Sequence, residues 1–291
     1  MSFFVILIIL ISTFMHAGWN LLARYSHSEG EFYNKMLLTM ALVGLIPAVG
    51  SEIFAHSLTP TAWMCVMGSG LCAALYMFSL AQAFESSDFT VVYPVARALP
   101  VVFVAMIDAA RGRLLTPIGW VGILLVAFGC TLVPQKSFSG ISYKNYIQRG
   151  TIWMLLAACG TVGYTMLDKI AAETVQQSAA TAARYGYFYF AVSYLPYVFF
   201  LSRTKRQDAN HYTGWKLAAV AAGLSFAAYW LVLWAYQLSP YASYIIAFRQ
   251  FSIVIGSVMA FYLYKEEGIV IRLTGASMIT AGLVLIAGWG R

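Results

Sequence analysis

Ten apolar runs of about twenty residues, separated by brief polar breaks, constrain this chain more than any other feature. They cover residues 3–24, 33–54, 62–85, 89–110, 117–134, 150–171, 180–202, 214–238, 241–264 and 269–289. A helix needs roughly 20 residues to cross about 30 Å of hydrocarbon, so each run is close to that length. A transmembrane barrel would instead show alternating segments of about ten residues. Composition agrees: 61% of the side chains are hydrophobic and 10% are charged, with a mean hydropathy of +0.74. Soluble domains carry about 25% charged residues. A soluble enzyme, a disordered chain and a disulfide scaffold are thereby excluded. The expected fold is an all-α integral membrane protein with ten transmembrane helices, in a plasma or bacterial inner membrane.

The net charge of +7 does not point to nucleic acid, because the basic residues fall mostly in short loops. There they report orientation. Eleven lie on one side of the ten-span arrangement and five on the other, which places both termini outside the cytoplasm. Cys65, Cys72, Cys130 and Cys159 sit inside apolar runs with neither C-x-x-C spacing nor a ligand set around them. They are read as small buried hydrophobes, and no metal or cofactor is expected. The first run begins without a basic n-region or a cleavage site, so it reads as a retained span.

The two halves resemble each other weakly. At an offset of 145, residues 18–24 (GWNLLAR) lie over 163–169 (GYTMLDK); at 152, Arg97 lies over Arg249; at 153, Gly122 and Gly129 lie over Gly275 and Gly282. Five spans per half is an odd number, so the second half enters the membrane upside down. The sequence thus divides into a five-helix repeat over 1–135, a linker over 136–149 and a second repeat over 150–291. Such inverted repeats place a binding site near the midplane between the halves. The glycines of runs five and ten allow those two helices to approach closely.

At this point the chain resembles the drug/metabolite transporter superfamily, in its ten-helix EamA-type branch. The residues carrying the resemblance are His16-Ala-Gly-Trp-Asn-Leu-Leu22, Tyr93-Pro-Val-Ala-Arg-Ala98, Phe248-Arg-Gln250 and Lys265-Glu-Glu267. Membership would imply a secondary carrier of small metabolites that works without ATP. Related sugar-phosphate translocators hold substrate phosphate with basic residues on helices four and nine, which match only Arg97 and Arg249 by position. Many relatives carry a glutamate after span four; this chain has Arg111-Gly-Arg113 there.

Arg97 and Arg249 are each the ninth residue of their run, so each sits about 12–13 Å into its helix. A central arginine costs at least about 2.5–3.5 kcal/mol on insertion scales and requires compensation. All eleven carboxylates fall in loops or near the ends of runs, so neither arginine has an evident counter-ion at its depth. An anionic ligand would provide one, since guanidinium suits bidentate binding of carboxylate or phosphate. Helix carbonyls freed by Pro94 and Pro100, or tyrosine hydroxyls, are the structural alternative. Ser12, His16 and Asn20 form a polar stripe in the first run, beside Trp19. That stripe suits either a cavity wall or helix–helix hydrogen bonds. Tyr93 lies one turn before Arg97, and Tyr164, Tyr229, Trp230 and Tyr244 are weaker candidates.

The candidate substrate-binding set is therefore Arg97, Arg249, Tyr93, Trp19, Asn20 and His16. The expected partners are a small-molecule metabolite and the lipid bilayer, not nucleic acid; monomer and homodimer both stay open. No phosphate-binding loop, nucleophile elbow or metalloprotease motif occurs. The substrate expected is a small organic anion or zwitterion of amino-acid, phosphate or phosphonate type. The competing readings are an exporter of neutral or cationic metabolites and a non-transporting membrane scaffold.

Overall fold

The structure, a computed structural model, describes residues 1–24, 29–86, 89–135, 137–138, 150–203, 214–264 and 268–290. Side chains at 24, 29, 84–86, 89–94, 257 and 259–264 lie outside the description. Every regular element among the described residues is helical: α1 Phe3–Arg24, α2 Glu29–Val43, α3 Leu45–Ala55, α4 Pro60–Ser86, α5 Phe89–Ala110 and α6 Pro117–Leu132. They are followed by α7 Thr151–Thr174, α8 Ala179–Ser202, α9 Trp215–Leu238, α10 Ala242–Arg249, α11 Phe251–Tyr264 and α12 Ile269–Trp289.

Local chemistry explains where the helices start and stop. Thr116 caps α6 by accepting from Gly119 N, with Pro117 in the first helical position, where its missing N–H costs nothing. Two of the expected runs are broken. Run 33–54 divides into α2 and α3, bent by 47° at Gly44. Pro47 lies three residues beyond the break and lacks the N–H that would bond to Val43, and a side chain at Gly44 would overlap the Tyr187 ring. Run 241–264 divides at Gln250, where the backbone tightens: Gln250 N donates to Ala247 O and Ile253 N to Gln250 O. The Ser252 hydroxyl satisfies the Arg249 carbonyl at 2.8 Å.

Packing runs between the halves as much as within them. α4 lies along α7 and α8, α1 along α9, α2 along α8 and α9, and α6 along α12. The α6–α12 crossing depends on four glycines, as the sequence leads one to expect. A Cβ on Gly129 would fall 2.6 Å from Gly275 O, and one on Gly275 would fall 2.9 Å from Gly129 O. Gly122 and Gly282 are related in the same reciprocal way, at 2.8 and 2.6 Å. The pairing order, 122 with 282 and 129 with 275, makes the two helices antiparallel.

α1, α4, α9 and α12 contain stretches long and apolar enough to cross a bilayer, and the bent α2–α3 pair makes a fifth if counted as one span. Large hydrophobics cover the outside: Phe54 is 89% exposed, Ile46 84% and Phe3 80%. A surface of this kind suits lipid, not water. The fold is thus compatible with a membrane-embedded protein. The four cysteines are free; Cys65 and Cys130 are buried as expected, whereas Cys159 is exposed.

One face is knitted across the halves. Glu173 at the end of α7 pairs with Arg111 at 2.7 Å and with Lys169 at 3.2 Å. Lys169 is buried and donates to the carbonyls of Tyr236 (2.9 Å) and Ser239 (2.6 Å), capping the C-terminus of α9. Burial alone would raise the Glu173 carboxyl, but Lys169 and Arg111 outweigh it and hold the group below the usual carboxylate range. On the same face Arg184 of α8 donates to the hydroxyls of Ser51 and Ser57.

Candidate functional site

Arg97 and Arg249 line one cavity, together with Tyr76, Tyr164, Thr161 and Gln250. It is narrow, with room for about one water molecule, and is smaller than a typical small-molecule site. Helix α5 brings in Arg97, with Pro100 beside it; the break after α10 delivers Arg249 and Gln250. Arg249 is buried, and its Nη1 has no hydrogen-bond partner. Its guanidinium lies 5.4 Å from the centre of the Tyr229 ring, a cation–π arrangement. Gln250 is likewise buried; its Nε2 donates to Ile246 O at 3.1 Å, leaving Oε1 as an acceptor without a partner.

A buried carboxylate is joined to Arg249 through Tyr229, without a direct ion pair between the two among the described residues. Asp168 is 1% exposed and accepts from Ser69 Oγ at 2.5 Å, from Tyr185 OH at 2.7 Å and from Tyr229 OH. Tyr229 therefore touches both charges: its hydroxyl donates to Asp168 and its ring faces Arg249. The sequence places Asp168 near a span end because the apolar run stops at Ala171. The helix continues to Thr174, so the residue lies nearly two turns inside it.

The first-run candidates divide. His16 Nε2 lies 3.3 Å from Arg97 Nη2, and Trp19 Nε1 donates to His16 Nδ1 at 3.1 Å. The guanidinium and the indole N–H can each only donate, and a neutral imidazole has one acceptor nitrogen, so the His16 tautomer decides which of the two it accepts from. Neither His16 nor Trp19 lines the cavity. Trp19 is buried with its ring edge-on to His16 and Tyr33. Asn20 also stays out of the cavity; its amide donates to His16 O within α1 at 2.7 Å. Ser12, in the same stripe, donates to Ala228 O of α9 at 2.7 Å, a helix–helix bond. The Tyr93 side chain lies outside the described residues.

Among the weaker candidates, Tyr164 lines the cavity and meets the Tyr76, Tyr189 and Tyr229 rings edge-on at about 6 Å. Trp230 donates to Ala179 O, and Tyr244 packs against Tyr241 and Gly119, so both hold helices together. Gln250 and Tyr76 were not anticipated from sequence. Gln250 could have been found as the polar neighbour of Arg249; Tyr76 is one of 19 tyrosines with no motif around it.

No family model matches the chain, and no curated protein matches it. Among solved structures 27 chains match. One, a crystal structure of a protein, shares 15% identity and superimposes with a TM-score of 0.70 over 100% of this chain and 99% of its own. At that identity the likeness is one of fold.

Proposed function

We propose that this protein is a secondary transporter of the drug/metabolite type, carrying a small organic anion or zwitterion by alternating access. One observation carries the reading: a buried arginine with an unpartnered Nη1 shares a cavity with a second arginine. Buried guanidinium donors are costly unless paired, and a carboxylate, phosphate or phosphonate oxygen satisfies Nη1.

The scaffold proposed is ten spans in an inverted five-plus-five repeat, with α2–α3 and α10–α11 each forming one span. The neighbour relations support it. Exchanging the halves turns the α4–α7 contact into α1–α9, α4–α8 into α2–α9, and α5–α7 into α1–α11 or α1–α10, all of which occur. The α6–α12 and α5–α10 contacts map onto themselves. Antiparallel glycine pairing between α6 and α12 suits repeats of opposite orientation. Rocking of one half against the other would then expose the cavity to each face in turn.

Asp168 bears on the competing cation-exporter reading, since a buried carboxylate can exchange a proton for a cation. Its oxygens, however, are occupied by three hydroxyls, and a cation in this cavity would meet two guanidiniums. The anion reading therefore stands ahead. A thermal-shift panel of carboxylates, phosphates, phosphonates and lipophilic cations tests it, repeated on Arg97→Gln and Arg249→Gln. Anionic or zwitterionic hits that both variants lose are expected; hits confined to cations, or unchanged in both variants, would refute it.

A further inference from the structure

Asp168 is a buried titratable group that anion binding alone does not use. We infer that Asp168 binds a coupling proton, so that substrate anion and proton cross together; the inference rests on the anion-transport reading above. Two observations carry it. Asp168 and the cavity draw on the same positive charge, since Tyr229 joins the carboxylate to the Arg249 guanidinium. The Nη1 of that guanidinium is unpartnered, so Arg249 has bonding capacity for an incoming anion while the Tyr229 ring beside it stays bonded to Asp168.

Consider what an anion does on reaching Arg249. It brings a second negative charge to a site where Tyr229 already connects the guanidinium to one, in an interior where such interactions are weakly screened. Two like charges in a shared site favour protonation of one of them. Linkage makes this reciprocal: a bound anion favours a proton on Asp168, and a proton there favours the anion. The proton comes from water on the side to which the site is open and forms an O–H bond at Asp168 Oδ2. The Tyr229 hydroxyl, which donates to Oδ2 in this structure, then turns to accept from the new O–H. No electrons move, and the charge carried by a monoanion is cancelled.

The surroundings of Asp168 suit a proton site. Helix α4 presents Ser69, Cys65 and Cys72. Helix α8 presents Tyr185 and Tyr189; α9 presents Tyr229 and Tyr236. Helix α10 contributes Arg249, and Arg97 of α5 faces the cavity. Lys169, its neighbour in α7, turns away to the carbonyls at the end of α9. A hydroxyl cage of this kind can reorient its hydrogens as the carboxylate changes state, which a lysine or arginine partner cannot do.

The test uses sulfate and L-alanine, neither of which gains or loses a proton appreciably between about pH 5.5 and 8. Binding to the purified full-length protein is measured at both ends of that range. Proton uptake is read by calorimetry in two buffers of different ionisation enthalpy. Wild type is expected to bind roughly five- to tenfold tighter at the lower pH and to take up protons on binding. Asp168→Asn, a neutral isostere, should bind equally at both pH values without proton uptake. Tyr229→Phe keeps the ring under Arg249 and loses only the hydroxyl link, so it should reduce the pH dependence if Asp168→Asn does not fold. Binding that requires Arg249 but shows neither pH dependence nor proton uptake would overturn the proton site and leave the anion site standing. Binding by no probe, or binding indifferent to Arg249→Gln, would overturn both.

Discussion

Replacing Gly129 by alanine isolates the contact on which the α6–α12 crossing depends. The added methyl would lie 2.6 Å from Gly275 O, 2.6 Å from Ile279 Cγ1 and 2.9 Å from Ile279 N. Carbon contacts normally settle near 3.5–4.0 Å, so the overlap is about 1 Å. Two of the three opposing atoms are backbone and cannot rotate away, so α6 and α12 must separate along their length. Alanine is also a better helix former than glycine, by about 1 kcal/mol, and that gain must be removed from the comparison. Gly256 in α11 provides the reference, since a Cβ there meets nothing within 4 Å. The difference between Gly129→Ala and Gly256→Ala is then the steric cost, about 1–3 kcal/mol. Unfolding in one detergent, followed by tryptophan fluorescence, reads it. Gly129→Ala should unfold first, and adding Gly275→Ala should cost less than the sum of the singles, because both open the same seam. Equal stability of Gly129→Ala and Gly256→Ala would refute the close crossing.

Two further outcomes follow from the charges. Glu173→Gln should destabilise the protein by about 1 kcal/mol, because Lys169 and Arg111 lose their shared carboxylate. The Glu173 carboxyl is held below its ordinary value, so its contribution is present at pH values above that ordinary value. It is lost as the pH falls through the depressed one, and acid titration of wild type against Glu173→Gln should converge there. Arg249→Lys keeps the charge but loses the planar fork, so anion affinity should fall by about tenfold without abolishing binding; full retention in a binding titration would show that the fork is not used.

Helix positions were readable from hydrophobic runs because lipid-facing helices must be apolar over their whole length. Runs 3–24, 89–110 and 269–289 coincide with α1, α5 and α12 to the residue. The breaks at Gly44 and Gln250 were not read from the sequence, since each lies within a run whose length and hydrophobicity suit one span; they arise from Pro47 and from the turn beside Arg249. The two arginines that line the cavity were singled out by their depth in their runs, a property that the sequence carries directly. Asp168 was missed for a physical reason: α7 continues beyond its apolar run, so distance to the run's end understated its burial. The hydrogen bonds of Ser12 and Asn20 show the other limit. A stripe at i, i+4 and i+8 defines a face, but not whether that face meets a cavity or a neighbouring helix.

The proposal that this chain moves an anion through the Arg97–Arg249 cavity is tested most directly by counterflow in proteoliposomes. Vesicles are loaded with the unlabelled form of whichever of sulfate or L-alanine binds, and uptake of the labelled form is followed. Counterflow proceeds by exchange of labelled for unlabelled substrate, whichever gradient drives net transport. Saturable uptake above that of protein-free vesicles, lost in both Arg97→Gln and Arg249→Gln, is the predicted result. Binding without flux, or flux that neither substitution alters, would contradict the account.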